Sequence, residues 1–450
     1  MTPLLDALRA RAARDNLRLH MPGHAGHAVI DGWEAVYALD LTELSDTGNL
    51  YADQSDGPIR AAERLYAECY HAGDCLFLTG GATQGILAML SAFAAPGDTV
   101  VLDRNCHISV HNALALLDLR PVWIQALLIE PFHVTAGLTA DALADALAAH
   151  PDAACVLITS PTYYGVLSDL QALAAASATR GVPLLVDAAH GAHLPFLPGH
   201  ASPVAQGAAA AVLSAHKTMP ALGQSAFLLT GEDTSAPLLR RRAALYGSSS
   251  PSYPLMASLD AARAYMEAGG REALHKVARA AGAIRQLSPH FLRCTMYIVH
   301  RTLSVDPLRL CLFTGSGHSV AARLEKDCGI ICEMADRHNV IFLLSALHTE
   351  NDLARLEAAL SDVIRGIPAP CGVTLSAPPS LPRQQLTPRQ ALFGRQTALP
   401  WREALGRIAA EPIGPYPPGV PLAARGEVMD ESVMSALERA GFEGEVWVNS

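Results

Sequence analysis

The sequence has few aromatic residues, no long apolar run and no C-x-x-C pair of cysteines. Aromatic residues make up only 6% of the 450 residues, so Ala and Leu carry much of the 50% hydrophobic content, which is enough for a large buried core. No apolar run approaches the roughly twenty residues that span a bilayer, and residues 1–20 lack the apolar core of a secretory signal. Nine cysteines occur without a C-x-x-C pair, which is typical of the reducing cytosol. We therefore expect a cytoplasmic protein that does not associate with membranes.

Positive charge is also scarce and dispersed. The formal net charge is −10 and no stripe rich in Lys and Arg occurs, so nucleic acid is not an expected partner. The nearest basic cluster, residues 239–242, is expected on the solvated face of a helix. Cys328 and Cys332 have helical spacing, but no matching His/Cys pair completes a zinc site. We expect no metal centre.

Short apolar segments alternate with helical segments over the first half of the chain. The expected strands are residues 75–78, 99–102, 122–124, 154–159, 183–186 and 209–213. Apolar strands that alternate with helices predict an α/β fold with a mostly parallel sheet covered on both faces. In such sheets ligands bind beyond the carboxyl ends of the strands, and the polar motifs of this chain follow these strands.

Two of the strand ends carry residues that serve one chemistry. Asp187 ends one strand, and Lys217 follows another in the sequence Ser214-Ala215-His216-Lys217. Enzymes that use pyridoxal 5'-phosphate (PLP) need a carboxylate that keeps the pyridine nitrogen protonated and a lysine that forms a Schiff base with the aldehyde. Ser214 and His216 flank the lysine with donors suited to a phosphate dianion. For either residue alone, a buried structural aspartate or a surface lysine is the alternative.

Other motifs fit the same cofactor less specifically. Residues 80–85, rich in glycine, lie between a strand and a helix, where backbone N–H groups can approach a phosphate, although such turns are common. His107 is suited either to stacking on a pyridine ring or to beginning a helix. Thr162, at a strand tip, is a further candidate contact. His190 and His193 follow the aspartate, but no carboxylate cluster supports a metal site there.

The content and order of these motifs resemble the Orn/Lys/Arg decarboxylase family of fold-type I PLP enzymes, in its short form without a wing domain. The resemblance covers nearly the whole chain. The matching stretches are His20-Met21-Pro22-Gly23-His24, Asp40-Leu41-Thr42-Glu43-Leu44, Gly57-Pro58-Ile59, Asp103-Arg104-Asn105-Cys106-His107, Ser160-Pro161-Thr162-Tyr163-Tyr164-Gly165, Asp187-Ala188-Ala189-His190-Gly191-Ala192-His193, Ser214-Ala215-His216-Lys217 and Tyr416-Pro417-Pro418-Gly419-Val420-Pro421.

The resemblance implies roles for individual residues. Lys217 would form the Schiff base, Asp187 would pair with the pyridine nitrogen and His107 would stack on the ring. Thr83, Ser214, His216 and the backbone at Ala82 would bind the phosphate. The residues expected to contact the cofactor are Ala82, Thr83, His107, Thr162, Asp187, His190, Ser214, His216 and Lys217. Glu427 matches a family glutamate that meets the distal cation of the substrate, and a solvated surface acid is the alternative.

Four positions depart from the family pattern. Ala25 and Ile108 stand where lysine is usual. Ala82 stands where serine is common, which removes one hydroxyl donor from the phosphate site. Arg425 replaces the proline before the Gly-Glu pair, and this cation is expected to compete for the charge of Glu427. None of the four replaces the lysine or the aspartate on which the cofactor chemistry depends.

A chain of this length is expected to form two or three domains. The expected parts are an N-terminal arm at residues 1–55, a PLP-binding large domain at 56–265, a small α+β domain at 266–367, a linker at 368–388 and a C-terminal segment at 389–450. The resemblance implies an aspartate aminotransferase-like large domain followed by the small α+β domain. It also implies at least a homodimer.

The function implied is PLP-dependent α-decarboxylation of a basic L-amino acid, with arginine, lysine and ornithine as candidates. One alternative is another reaction on the same cofactor, such as aminotransfer, oxidative deamination or elimination. A second is a catalytically inactive paralogue that keeps the fold. The presence of Lys217, Asp187 and His107 argues against the inactive paralogue, whereas the changes at Ala25, Ile108 and Arg425 allow it.

Overall fold

The protein was analysed as a computed structural model, which describes residues 1–51, 56–293, 297–298, 301–302, 304–368, 370, 372–415 and 420–450. Residues 416–419 of the late Pro-rich motif lie outside the described residues. Within the described residues, no helix is both long and apolar enough to cross a membrane.

The strands reproduce each expected apolar segment to within about two residues. Their bounds are Asp74–Leu78 (β1), Thr99–Asp103 (β2), Arg120–Ile124 (β3), Leu128–Glu130 (β4), Val134–Thr135 (β5), Cys155–Thr159 (β6), Val166–Leu167 (β7), Leu184–Asp187 (β8), Ala210–Leu213 (β9), Ala226–Thr230 (β10), Tyr297–Ile298 (β11), Arg301–Thr302 (β12), Ser304–Val305 (β13), Arg309–Phe313 (β14), Met334–Ala335 (β15), Asn339–Leu343 (β16), Thr374–Ser376 (β17), Gln396–Pro400 (β18), Ile408–Ala409 (β19) and Glu445–Asn449 (β20).

The helices connect these strands. Their bounds are Pro3–Ala12 (α1), Glu34–Leu39 (α2), Pro58–Tyr70 (α3), Gly81–Phe93 (α4), Ile108–Leu116 (α5), Ala140–Ala149 (α6), Leu170–Ala178 (α7), Ala215–Thr218 (α8), Ala236–Tyr246 (α9), Tyr253–Tyr265 (α10), Arg271–Gln286 (α11), Gly317–Cys328 (α12), Glu350–Ile364 (α13), Pro388–Phe393 (α14) and Glu431–Ala440 (α15). Helix α13 begins at a capping box, in which Thr349 and Asp352 satisfy each other's backbone N–H groups.

The chain folds into two compact units. The first comprises residues 1–92, 186–275 and 345–347, and the second comprises residues 93–185, 276–344 and 348–450. The boundary falls inside β8. In the first unit the strand order is β1-β10-β9-β8, with β10 antiparallel to both neighbours. In the second unit the order is β8-β6-β2-β3, with β2 parallel to both neighbours.

The core of the first unit contains a cluster of aromatic side chains. Tyr66, Tyr70, Phe77, Phe196 and Phe227 are buried, and their rings meet at centroid distances of 4.7–5.9 Å. The two tyrosine hydroxyls donate to the backbone carbonyls of Leu259 and Ala192. Large rings remove much apolar area from water while their hydroxyls keep a partner. This cluster therefore supports the face of the sheet that β1 and β10 form.

The basic cluster at residues 239–242 was expected on the solvated face of a helix, but part of it is buried. Arg240 on α9 is only 4% exposed, and its Nη2 lies 2.9 Å from Oε2 of the fully buried Glu63 on α3. Glu63 also accepts from Arg60 and from the backbone N–H of Phe77. The expectation was wrong because the carboxylate that compensates Arg240 lies 177 residues away in the sequence. A buried guanidinium is tolerated only where such a partner is supplied.

The second unit contains further antiparallel sheets beside its parallel strands. These have the orders β14-β16-β15, β18-β20-β19 and β17-β4-β5. The last of these includes Thr374–Ser376, which lies in the segment expected to be a linker and pairs with Leu128–Glu130. The C-terminal sheet covers an apolar cluster that includes Trp401, Ile413 and Val433. The described residues after 368 therefore belong to the second unit.

Candidate active site

The glycine-rich segment of the first unit forms the beginning of helix α4. The helix starts at Gly81, so Ala82 and Thr83 lie in its first turn, where backbone N–H groups lack intrahelical partners. Thr83 is exposed. Gly85 allows the helix to pack closely on the sheet, because a Cβ at this position would lie 2.4 Å from Cγ2 of Val212 on β9. This turn is therefore suited to binding an anion.

Asp187 lies at the carboxyl end of β8 and is only 4% exposed. Its Oδ1 accepts a hydrogen bond of 3.1 Å from the backbone N–H of Ala189. The next residue, Ala188, donates its N–H to the carbonyl of Val212 on β9. The end of β8 thus lies beside β9, which leads directly into the segment that carries the lysine.

Lys217 lies on the single turn of helix α8, which begins after the buried Ser214. Its Nζ is 3.1 Å from Nε2 of His190. On the same turn, Nδ1 of His216 donates to the carbonyl of Ser225 at 2.9 Å, which fixes the orientation of that ring. Lys217 and His216 are both half-buried. The lysine is therefore held by a polar partner and remains partly accessible.

The first unit therefore brings together several of the expected residues. Asp187 and His190 follow β8, and Ser214, His216 and Lys217 follow the neighbouring strand β9. PLP needs a carboxylate beside its protonated pyridine nitrogen and an amine that reacts with its aldehyde. The buried carboxylate and the partly accessible amine at these adjacent strand ends are such groups. The residues present thus fit PLP.

His107 begins helix α5 in the second unit. Its Nδ1 is 2.8 Å from the hydroxyl of Ser109 and also accepts from the backbone N–H of that residue at 3.2 Å. The ring is exposed, as is the side chain of Ile108. His107 is thus a helix N-cap, as one of the two sequence interpretations expected, and the exposure of its ring is compatible with the other.

Thr162 follows β6 in the second unit and is buried. Its hydroxyl accepts a 3.1 Å hydrogen bond from the N–H of Val166, and its own N–H donates to the carbonyl of Val166. Gly165 completes this turn with a φ of 88°, which favours glycine. The hydroxyl of Thr162 therefore closes the turn after β6.

Glu427 is 1% exposed and forms a bidentate ion pair with Arg104 in the second unit. Arg104 Nη1 and Nη2 lie 2.8 and 2.7 Å from the two carboxylate oxygens. One of these oxygens also accepts from the N–H of Ala424 at 2.7 Å. The guanidinium of Arg104 lies 5.0 Å from the ring centre of Trp123. Glu427 is therefore not a solvated surface acid.

The cation that pairs with Glu427 is thus Arg104 rather than Arg425. Arg425 is also buried, but its guanidinium donates to the carbonyls of Ala410 and His111 and to Oδ1 of Asn112. Sequence reasoning missed this role of Arg104, although the residue lies inside the Asp-Arg-Asn-Cys-His motif. The signal available was an arginine directly after an apolar strand.

Two titratable groups near this ion pair are strongly perturbed. Burial raises the pKa of Asp103 to about 6, although hydrogen bonds from the backbone at Asn105 and Thr159 partly oppose this rise. Burial, together with the positive charges of Arg104 and Arg425, lowers the pKa of His111 to about 3. His111 is therefore neutral at physiological pH. Among the described residues, no group of three or more His, Cys, Asp or Glu side chains is arranged to hold a metal ion.

Two family models match the chain. One, described as the Orn/Lys/Arg decarboxylase major domain, matches residues 2–306. The other, described as the C-terminal domain of Orn/Lys/Arg decarboxylases, matches residues 373–439. The first model alone covers more than half of the chain.

Curated relatives match along almost the whole chain. The uncharacterized protein YaaO of Bacillus subtilis is 34% identical, over 97% of this chain and 94% of its own length. An arginine decarboxylase of Bacillus subtilis is 30% identical, over 97% of this chain and 93% of its own length. The constitutive lysine decarboxylase of Escherichia coli is 24% identical, over 90% of this chain and 70% of its own length.

Solved structures share the fold. The lysine decarboxylase LdcF of Francisella novicida has a TM-score of 0.84 at 20% identity, and the match covers 100% of this chain and 81% of that protein. A serine palmitoyltransferase of Sphingomonas wittichii has a TM-score of 0.54 at 18% identity, over 69% of this chain and 77% of that protein. The expected fold-type I α/β architecture is therefore confirmed.

Proposed function

This chain belongs to the Orn/Lys/Arg decarboxylase family and is a decarboxylase. We propose that it removes the α-carboxylate of a basic L-amino acid, with PLP carried on Lys217. The observation that carries the proposal is the arrangement of Lys217 and the buried Asp187 at the ends of neighbouring strands. Arginine is the first substrate to test, because relatives named arginine decarboxylase are 28–30% identical, above those named lysine decarboxylase at 22–24%.

The chemistry divides between cofactor and protein. PLP, when bound, takes up the electron pair that is released as the bond from Cα to the carboxylate breaks. Asp187 would hold the proton on the pyridine nitrogen, because a buried carboxylate strongly favours a cation beside it. The first turn of α4, with Ala82 and Thr83, would bind the phosphate together with Ser214 and His216. The turn with Ala82 has one hydroxyl donor fewer than serine would supply.

Two further residues are assigned to the cofactor from the family resemblance. His107 would lie on the face of the ring, and Thr162 would be a further cofactor contact. The products are CO2 and an amine with one carbon fewer, after Cα has taken a proton. Lys217 would hold the cofactor again once the amine has left. By the family resemblance, Glu427 would face the distal cation of the substrate. In that role its carboxylate would have to exchange the ion pair with Arg104 for one with the substrate.

Borohydride trapping tests the cofactor assignment. The chain contains three lysines, Lys217, Lys276 and Lys326, so reduction of the PLP-loaded protein followed by peptide mass spectrometry identifies the attachment site. We expect the added mass on Lys217 alone, its loss in Lys217→Ala and its retention in Lys276→Arg. Attachment at Lys276 or Lys326, or none in folded protein, would contradict the proposal.

We further propose that the enzyme assembles as at least a homodimer, as the family resemblance implies. Light scattering on the PLP-loaded protein checks this. A particle of at least twice the chain mass of 47.5 kDa is expected, and a mass equal to that of one chain at all concentrations would contradict it.

A further inference from the structure

The contact between Lys217 and His190 has a consequence for how the lysine exchanges its proton. An amine adds to an aldehyde only in its neutral form, whereas the ordinary pKa of lysine, about 10.4, leaves it charged at neutral pH. A proton acceptor beside the amine removes this obstacle. His190 Nε2, at 3.1 Å from Nζ, is within hydrogen-bond distance.

The two groups are matched as donor and acceptor. A lysine ammonium carries only donors, so Nε2 of His190 accepts from it when the imidazole is neutral. The ordinary pKa of histidine lies near neutral pH, so an imidazole can both take up and return a proton there. The other histidines of these two segments are His193 and His216. Nδ1 of His216 already donates to the carbonyl of Ser225, so that nitrogen does not accept a proton from the lysine. Asp187 lies three residues before His190 and is assigned to the pyridine nitrogen of the cofactor.

We propose that His190 is the proton acceptor for Lys217. The proton moves from Nζ of Lys217 to Nε2 of His190, which leaves an imidazolium and a lone pair on Nζ that attacks the aldehyde carbon. As the bond between that carbon and nitrogen forms, the carbon–oxygen bond breaks, and the aldehyde oxygen leaves as water with the two protons that remain on Nζ. When the lysine–cofactor bond is later broken by an incoming substrate amine, the proton returns from His190 to Nζ. The inference rests on the proposed attachment of PLP to Lys217, and it gives His190 a role beyond that of a cofactor contact.

The rate at which PLP attaches to the cofactor-free protein tests this without reference to catalytic activity. Attachment is followed by the visible absorbance of the bound cofactor between pH 6 and about pH 10, the ordinary pKa of lysine. His190→Gln keeps a hydrogen-bond acceptor but cannot take a proton, so attachment should slow by about 100-fold at neutral pH and recover toward the alkaline end. Imidazole added to His190→Ala should restore part of the rate. His275→Gln is the matched control, because His275 bonds the carbonyl of Phe196 in the same unit.

A second measurement serves if a His190 variant does not fold. Reductive methylation with 13C labels only three lysines and the N-terminus, so the signal of Lys217 in the cofactor-free chain can be followed by NMR across pH. We expect an inflection in the range where imidazole titrates, absent from Lys276 and Lys326. The proposal is overturned if Lys217 shows no such inflection, or if His190→Gln attaches PLP with the wild-type rate and pH profile. If the wild type itself attaches no PLP, the proposed function fails instead.

Discussion

Removal of one partner of the buried pair between Arg104 and Glu427 should destabilise the second unit far more than removal of both. Both side chains are at least 95% buried, and three short hydrogen bonds converge on the carboxylate. Truncation of one partner leaves an uncompensated buried charge, which typically costs about 3–5 kcal/mol. Arg104→Met and Glu427→Leu should each show a loss of this size. The double variant should lose less than the sum, because apolar groups can replace a buried pair at little cost.

Urea unfolding of the four proteins, followed by tryptophan fluorescence, measures this cycle. Trp123 lies against the guanidinium of Arg104 and so reports locally on the pair. An exposed pair on the same unit, Arg365 and Asp362, is the control, and its cycle should give a coupling below about 1 kcal/mol. If Arg104→Met and Glu427→Leu cost less than about 1 kcal/mol each, or if their effects are additive, the argument that this pair holds Glu427 in place is refuted.

Three further predictions concern separate sites. Asp103 has a pKa of about 6 in the folded protein, above its ordinary value of 3.8, so its contribution to stability is present below about pH 4 and is lost as the pH rises through 6. In urea titrations at pH 4 and 7, Asp103→Asn should remove this part of the pH dependence, which is of the order of 3 kcal/mol. Identical pH dependence of the unfolding free energy in both proteins would refute this. Gly85→Ala should lower the unfolding free energy by about 1–3 kcal/mol and weaken PLP binding, because the added Cβ would lie 2.4 Å from Val212. Gly282→Ala is the control, since a Cβ at that position meets no atom within 4 Å. An equal effect of the two substitutions would contradict the packing argument. The carboxylate of Asp260 accepts hydrogen bonds from the N–H groups of Leu4 and Leu5 in helix α1, at 2.9 and 3.2 Å. Asp260→Ala should therefore release this helix and accelerate hydrogen exchange in residues 3–12. Unchanged exchange there would exclude this anchoring role.

The strands were predictable because the sheet is buried on both faces. Segments such as Cys155–Thr159 and Ala210–Leu213 are buried at every position, so they appear in the sequence as unbroken apolar runs. Strand β10 is equally buried but was not expected, although it completes the first unit through antiparallel pairs with β1 and β9. Thr374–Ser376 is a half-exposed strand in a Pro-rich segment, and only its pairing with β4 defines it.

The residues of the candidate site were predictable to the extent that they lie within local motifs. Asp187 ends β8 and Lys217 lies four residues after the neighbouring strand β9, so the strand order brings the two segments together. The partner of Arg104 lies 323 residues away and that of Arg240 lies 177 residues away, and no local pattern identifies such pairs. The contact of His190 with Lys217 likewise depends on how two strand-end loops meet in space.

Product analysis tests the central claim most directly. The PLP-loaded protein is incubated with arginine, lysine and ornithine together, and the products are identified by mass spectrometry, with Lys217→Ala as the control. We predict that agmatine, cadaverine or putrescine forms with release of CO2, agmatine first, and that the control forms none. Absence of every amine while PLP is bound to Lys217, or formation of a keto acid instead, would contradict the account.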